Sequence, residues 1–266
     1  MERLRDFKNH KRIVIKIGTT SLTYENGKMN LQRIDELCRV IADMANQGLE
    51  VVLVTSGAIA VGSDYLCVER PRDIVGKQAT SAVGQAILMQ IYHQLFSGYN
   101  RKVAQILLTK DVLEVDTRKV NTKNTIDRLI KFGIIPIVNA NDTIATDELD
   151  EISDNDRLSA YVAVICDAHL LVMLSDIDGL YTDNPRANPE AKLVCRVNEI
   201  TAEIRATAGG AGTNLGTGGM ETKVDAARLC MDNNIDVVIA KGEFPKILWD
   251  IIKGKEIGTL LKGMHC

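Results

Sequence analysis

Nowhere does this 266-residue sequence hold the roughly 20 consecutive apolar residues of a membrane-spanning helix, so a helical membrane protein is not expected. The amino terminus, MERLRDFKNHKR, lacks the apolar centre of a signal peptide. No C-x-x-C pair occurs among the six scattered cysteines, and Cys38, Cys166 and Cys230 fall within helical patterns. They read as reduced thiols of a cytoplasmic protein rather than as disulfides or metal ligands. G-x-G-x-x-G and G-x-x-x-x-G-K-[ST] are both missing, which excludes the two commonest glycine-rich phosphate cradles. A net charge of −3 argues against a broad basic surface for nucleic acid, so any anionic ligand must be met by local positive charge.

The sequence does hold 45% apolar and 25% charged residues, the balance of a globular protein able to bury a sizeable core. Its length suits one large α/β domain or two small ones. Short β-branched runs alternate with helical patterns. Strands are expected at Arg12 to Ile17, Val51 to Val54, Val103 to Leu108, Ile134 to Val138, Leu170 to Leu174 and Val237 to Ala240, with a short closing strand from Gly258 to Leu261. Helices are expected from Leu31 to a stop at Gly48, over Gln78 to Phe96 and Asn121 to Phe132, from near Asp156, after the glycine loop with Lys223 in the first turn, and over Lys246 to Lys253. Such alternation implies right-handed βαβ units, hence a mainly parallel sheet with helices on both faces.

Four stretches carry candidate chemistry. Lys16 interrupts the first strand just before Gly18-Thr19-Thr20-Ser21. A lysine there is either paired or anion-bound in a buried strand, or solvated on an edge strand. The second strand ends in Thr55-Ser56-Gly57-Ala58. Val54 stands where a nucleophile elbow needs glycine, so Ser56 reads as a binding or turn serine. Between Ile134 and Ala160 a strand runs into a long acidic loop with Asn139, Asn141, Asp142, Asp147, Asp150, Asp154, Asn155 and Asp156. Polar groups past a strand's carboxyl end are where open α/β sheets bind ligands, although Asp and Asn also favour plain turns and caps. Ala208 to Gly219 holds six glycines and leads into Met220-Glu221-Thr222-Lys223, which is either a phosphate cradle at a helix start or a flexible linker. The lone His93 on its helix reads as structural.

The ordered set VIKIGTTSL, VTSGAIAVG, KQATSAVGQ, IPIVNANDT, SDNDRLSA, LSDIDGLYTDNP and GTGGMETK resembles the amino acid kinase family, and within it the members that phosphorylate glutamate. The resemblance runs from about Arg12 to Leu261. Ala140 and Ser153 depart from the usual pattern, where Glu and Gly stand. It implies a three-layer α/β/α sandwich around a mainly parallel eight-stranded sheet. One domain over 1–266 is expected, with about 1–167 holding the amino acid and about 168–266 holding ATP; the PUA domain of many members is not expected. The implied reaction is transfer of the γ-phosphoryl of ATP to the side-chain carboxylate of L-glutamate, the first step of proline biosynthesis. By resemblance Lys16 and Lys223 flank the phosphoryl group and Asp156 orients both. Ser56, Gly57, Ala58, Asn139, Asp142 and Asn155 hold glutamate, with a carboxylate for its ammonium group and amide and hydroxyl donors for its carboxylate. Lys16, Gly18, Ser175, Asp176, Thr217, Gly218, Gly219, Met220, Glu221, Thr222 and Lys223 hold ATP, with Mg²⁺ mainly on the ATP phosphates and no protein metal ligand named. Proline as a feedback inhibitor, hand-over of glutamyl phosphate to glutamyl phosphate reductase, and a homo-oligomer complete the expectations, with no nucleic-acid or membrane partner. Another phosphotransferase of the family, of the acetylglutamate, aspartate or uridylate kinase kind, and a non-catalytic nucleotide or amino-acid sensor are the alternatives.

Overall fold

The computed structural model describes residues 5–109, 112, 115–144, 155–185, 188–209 and 219–264. Eight strands form one sheet: β1 (Arg12–Ile17), β2 (Glu50–Val54), β3 (Lys102–Leu108), β4 (Ile134–Ala140), β5 (Leu170–Ser175), β6 (Arg196–Val197), β7 (Asp236–Lys241) and β8 (Thr259–Leu261), in the order β3-β4-β2-β1-β5-β7-β8-β6. The pairs from β3 across to β7 are parallel, whereas β8 runs antiparallel to β7. The described helices are α1 (Thr19–Leu22), α2 (Leu31–Asn46), α3 (Ala58–Leu66), α4 (Ile74–Gly98), α5 (Asp116–Lys131), α6 (Asn155–Ile165), α7 (Ala202–Gly209), α8 (Met220–Asp232) and α9 (Ile247–Ile252).

Strand alternation divides the core into two layers. Ile13, Ile15 and Ile17 of β1 face α2, α4 and α9, where Ile34, Leu88 and Leu248 are buried. Val14 faces the opposite layer with Leu158 of α6 and Val224 of α8. Because side chains alternate with period 2, Lys16 shares Val14's face and points at α6 and α8. The same alternation turns Gln105 of β3 and Asn139 of β4 toward α4, since Ile135 and Ile137 lie in the α4 layer while Val138 lies in the other. β1 is a central strand between β2 and β5, which removes the solvated edge-lysine reading of Lys16.

Several elements differ from the sequence expectation. β4 continues through Asn139 to Ala140, so Asn139 is a strand residue and not the first of a loop. α4 begins at Ile74, where Asp73 accepts from the Gly76 amide. α3 was not visible in AIAVGSDYL, because Gly62 lowers helix propensity. Gly62 is there for contact: a Cβ on it would lie 1.9 Å from the Thr80 carbonyl oxygen, and one on Gly84 would lie 1.8 Å from that of Ala58. Two glycines thus let α3 and α4 cross backbone against backbone. β6 and α7 are too short to leave a periodic signal. Cys166 falls one residue past α6. The five described cysteines are free thiols. Burial pushes Cys166 up to about 12 and raises Cys38 and Cys230 as well, so these three are held as neutral thiols.

Candidate active site at the carboxyl ends of the strands

β1 lies where the strand order reverses, and open α/β sheets bind ligands beyond the carboxyl ends at such a point. Three charged side chains meet there. Lys16 Nζ lies 2.5 Å from Asp156 Oδ1, and Lys223 Nζ lies 2.9 Å from Asp156 Oδ2. They come from β1, from the first turn of α6 and from α8, and all three are buried: 6% exposed for Lys16, 0% for Asp156 and 5% for Lys223. Burial alone would push the Asp156 carboxyl up, but the charges and hydrogen bonds of Lys16 and Lys223 hold it below the usual carboxylate range. Thr222 Oγ1 approaches the same carboxylate at 3.3 Å, and Lys223 Nζ also donates to the Gly219 carbonyl at 3.4 Å.

Glycines open three of the helices that start at this end. α1, α3 and α8 follow Gly18, Gly57 and Gly219, and none of the three has a side-chain cap. By contrast α2 is capped by Asn30, whose side chain accepts from the Arg33 amide at 3.0 Å. A helix start without a side-chain cap keeps its amides and positive dipole end for an anion. Gly57 has φ +100°, a left-handed backbone that glycine adopts without strain. Gly18 comes next to Lys16, since a Cβ on it would lie 3.6 Å from Nζ. Ser175 is buried at the end of β5 and its hydroxyl donates to the exposed Asp176 at 3.0 Å. Met220 is buried and Glu221 exposed on the first turn of α8. Thr217 and Gly218 lie outside the described residues, as do Asp147, Asp150 and Asp154 of the acidic loop. Ser21, last of the Gly18-Thr19-Thr20-Ser21 stretch, is buried close to Gly242.

The amino-acid candidates form a second group beside the lysines. Asn155 Nδ2 donates to Ser56 Oγ at 2.5 Å and to the Thr55 carbonyl at 3.2 Å, and approaches Asn139 Oδ1 at 3.4 Å. Its amide hydrogens are therefore engaged by the protein, which leaves its oxygen rather than donors for a ligand carboxylate. Asp142 sits in a 3₁₀ turn (Asp142–Ile144) and accepts from Ser81 Oγ of α4 at 2.9 Å. Burial raises its carboxyl above the usual value, a shift that the Ser81 hydroxyl only partly offsets. Ser81, Gln85 and Tyr92 of α4 and Gln105 of β3 were not singled out in the sequence. Their signal was present: Ser81 and Gln85 stand on the buried stripe that continues through Leu88, Tyr92 and Phe96, and polar residues on such a stripe need partners. Tyr92 shares a hydrogen bond with Thr55 at 2.8 Å, which anchors the Ser56 turn from below.

The opposite end of the sheet is differently built. Arg12, first in β1, pairs with Glu50, first in β2, at 2.8 Å and with Asp127 at 2.7 Å. Asp236, first in β7, accepts from Lys262 at 2.7 Å, from the Gly263 amide at 2.8 Å and meets His10 at 3.0 Å. These partners hold the Asp236 carboxyl well below the ordinary range against the opposing pull of burial.

A mainly parallel eight-stranded sheet with helices on both faces thus holds two lysines joined by one aspartate at its carboxyl ends, an arrangement suited to a highly charged anion. The family model described as "Amino acid kinase family" matches residues 11–241, and the chain belongs to that family. It is 54% identical over 257 residues to a glutamate 5-kinase of Clostridium perfringens, covering 95% of this chain and 96% of that protein. It is 51% identical over 260 residues to a glutamate 5-kinase of Enterococcus faecalis, with 96% of each covered. Among solved structures, the UMP kinase of Bacillus anthracis superposes with a TM-score of 0.62 at 17% identity over 96% of this chain and 97% of that one. The UMP kinase of Ureaplasma parvum gives the same TM-score at 18% identity over 95% and 99%. At that identity the likeness concerns the fold alone. No helix among the described residues is long and apolar enough to cross a membrane.

Proposed function

We infer that this chain transfers the γ-phosphoryl group of ATP to the side-chain carboxylate of L-glutamate, giving glutamyl 5-phosphate and ADP. The observation that carries the reading is the buried Lys16–Asp156–Lys223 cluster in a chain 54% identical to a glutamate 5-kinase. A glutamate carboxylate, with a reference pKa near ~4.3, is ionised at neutral pH, so no general base is needed. The work left to the protein is to bring two anions together in line and neutralise the charge on the group in flight. Lys16 and Lys223 would flank that group, and Asp156 would hold both ammonium groups in place. The amides at Gly18, Gly57 and Ala58 would add donors, and Ser175, Asp176 and the stretch 217–223 would hold the nucleotide. Ser56, Asn139, Asp142 and Asn155 would line the glutamate pocket, with Asp142 toward the α-ammonium.

In this reading about 1–167 binds the amino acid and about 168–266 the nucleotide. Mg²⁺ would travel on the ATP phosphates and water, because the carboxylate between the lysines is already committed to both of them. The reading further includes a cytoplasmic enzyme, a homo-oligomer, competition by proline near 139–156, and hand-over of glutamyl phosphate to a reductase. A substrate panel of L-glutamate, N-acetyl-L-glutamate, aspartate and UMP in a coupled ADP assay tests the activity. ADP release that depends on L-glutamate is expected, and release driven by another member of the panel instead would overturn the assignment.

A further inference from the structure

A line of four carboxamides runs from the edge of the sheet into the proposed glutamate pocket. Gln105 Oε1, on β3, accepts from Gln85 Nε2 at 3.1 Å. Gln85 Oε1, on α4, accepts from Asn139 Nδ2 at 2.9 Å. Asn139 Oδ1 accepts from the Ala140 amide at 2.9 Å and faces Asn155 Nδ2 at 3.4 Å. Gln85 and Asn139 are buried, at 8% and 2% exposed.

Backbone groups fix the direction of every amide in the line. The Ala140 N–H can only donate, so Asn139 must present its oxygen there and its nitrogen to Gln85. Gln85 must then offer Oε1 to Asn139 and Nε2 to Gln105. At the other end the Thr55 carbonyl can only accept, so Asn155 turns its nitrogen inward. That leaves Asn155 Oδ1, a buried oxygen with no hydrogen-bond partner among the described residues. A buried acceptor without a partner is costly, so the site is built to receive a donor there.

We propose that Gln85 is a positioning residue for amino-acid recognition, acting through Asn139 to hold the Asn155 carboxamide with Oδ1 toward the α-ammonium group of the substrate. The proposal rests on the glutamate reading above and deepens it, since the notable feature of this pocket is an acceptor for a cationic nitrogen and not a donor for a carboxylate. Asp142 and Asn155 would then meet the same ammonium group, one with charge and one with a fixed dipole. An N-acylated amino acid has no ammonium group and would leave both oxygens poorly matched.

The test is steady-state kinetics of Gln85→Met, alone and on an Asn155→Ala background, with binding of a non-hydrolysable ATP analogue as the check on folding. Gln85→Met should raise the KM for glutamate about 5- to 10-fold and leave kcat and the KM for ATP within about twofold. On the Asn155→Ala background the same change should move the glutamate KM by less than about twofold, because the group it acts through is gone. Where turnover is too low, glutamate affinity by calorimetry replaces KM. An unchanged KM, or the same increase in both backgrounds, overturns the proposal. Should Gln85→Met fail to bind the ATP analogue, Gln105→Met at the exposed end of the line carries the test. It should raise the glutamate KM about 2- to 3-fold, again only when Asn155 is present, and no such rise overturns the proposal. A wild-type enzyme without glutamate-dependent ADP release refutes the functional reading itself, whereas an active wild type with flat KM values refutes only the role of Gln85.

Discussion

The two ends of this sheet both bury charge, and they do so in opposite ways. At the amino end, Arg12 is met by two carboxylates and a backbone carbonyl, and Asp236 is met by a lysine, a histidine and a backbone amide. At the carboxyl end, one carboxylate is shared by two buried lysines, and three helices begin at glycines without side-chain caps. The first arrangement is closed on itself and its effect is stability. The second concentrates cations and amides at a switch point of the strand order, which suits a ligand of high negative charge. Burial of charge is thus not by itself a sign of function; how its partners are apportioned is.

Substitutions at the two ends should therefore separate along different axes. The largest effect is expected at the amino end. Asp236→Asn breaks a buried ion cluster and should cost about 3–5 kcal/mol of stability while kcat, measured on folded enzyme, stays near normal. The pH dependence has a definite sign. The Asp236 carboxyl is lowered in the folded protein, so its contribution is present above the unfolded value near ~3.9 and is lost as pH falls through the folded one. Thermal melts in acid should accordingly flatten in the variant relative to the parent. A large loss of kcat with normal stability would break the comparison.

At the carboxyl end, Lys16→Ala or Lys223→Ala should lower kcat by ~10²-fold or more, as for loss of a donor to transition-state charge, with a much smaller effect on glutamate KM. Near-normal turnover in either variant would remove it from the phosphoryl site. Smaller still, Asp142→Asn should weaken glutamate by roughly 10- to 150-fold, the value of a charge-assisted contact of ~1.5–3 kcal/mol, and leave the ATP KM almost unchanged. Because burial raises the Asp142 carboxyl, acidification should protonate it earlier than an ordinary aspartate. Glutamate affinity in the parent should fall on mild acidification, and Asp142→Asn should remove that part of the fall. A larger shift for ATP than for glutamate would place Asp142 elsewhere.

How much of this could be read from the chain differs between the two ends. RIVIKI, VVLV and the helix after Asn30 announce themselves through period and capping, because local sequence specifies local structure. Lys16, Asp156 and Lys223, with Asp156 orienting both lysines, were legible only through the resemblance of the motifs around them; no local pattern shows the meeting itself, since it depends on strand alternation in β1 and on α6 and α8 covering one face. The α3–α4 crossing was hidden because its signal, Gly62 and Gly84, reads locally as weak helix and becomes informative only with the Thr80 and Ala58 carbonyls in place. The carboxamide line was hidden for a similar reason. Gln85, Gln105, Asn139 and Asn155 come from four elements, and only the shared α4-facing layer brings the first three together. The amino-end cluster drew no notice at all, because scattered charges at strand starts resemble solvated ones until burial is known.

The claim on which the account turns is that Asp156 organises the two lysines for phosphoryl transfer. Asp156→Asn keeps the shape and removes the charge that holds them. The direct measurement is hydroxylamine trapping of the acyl phosphate formed from L-glutamate and ATP, parent against variant, with ATP-analogue binding recorded in parallel. The account predicts abundant hydroxamate from the parent and at least ~10²-fold slower formation by an Asp156→Asn enzyme that still binds the nucleotide. Hydroxamate formed by that variant at close to the parent rate would contradict it.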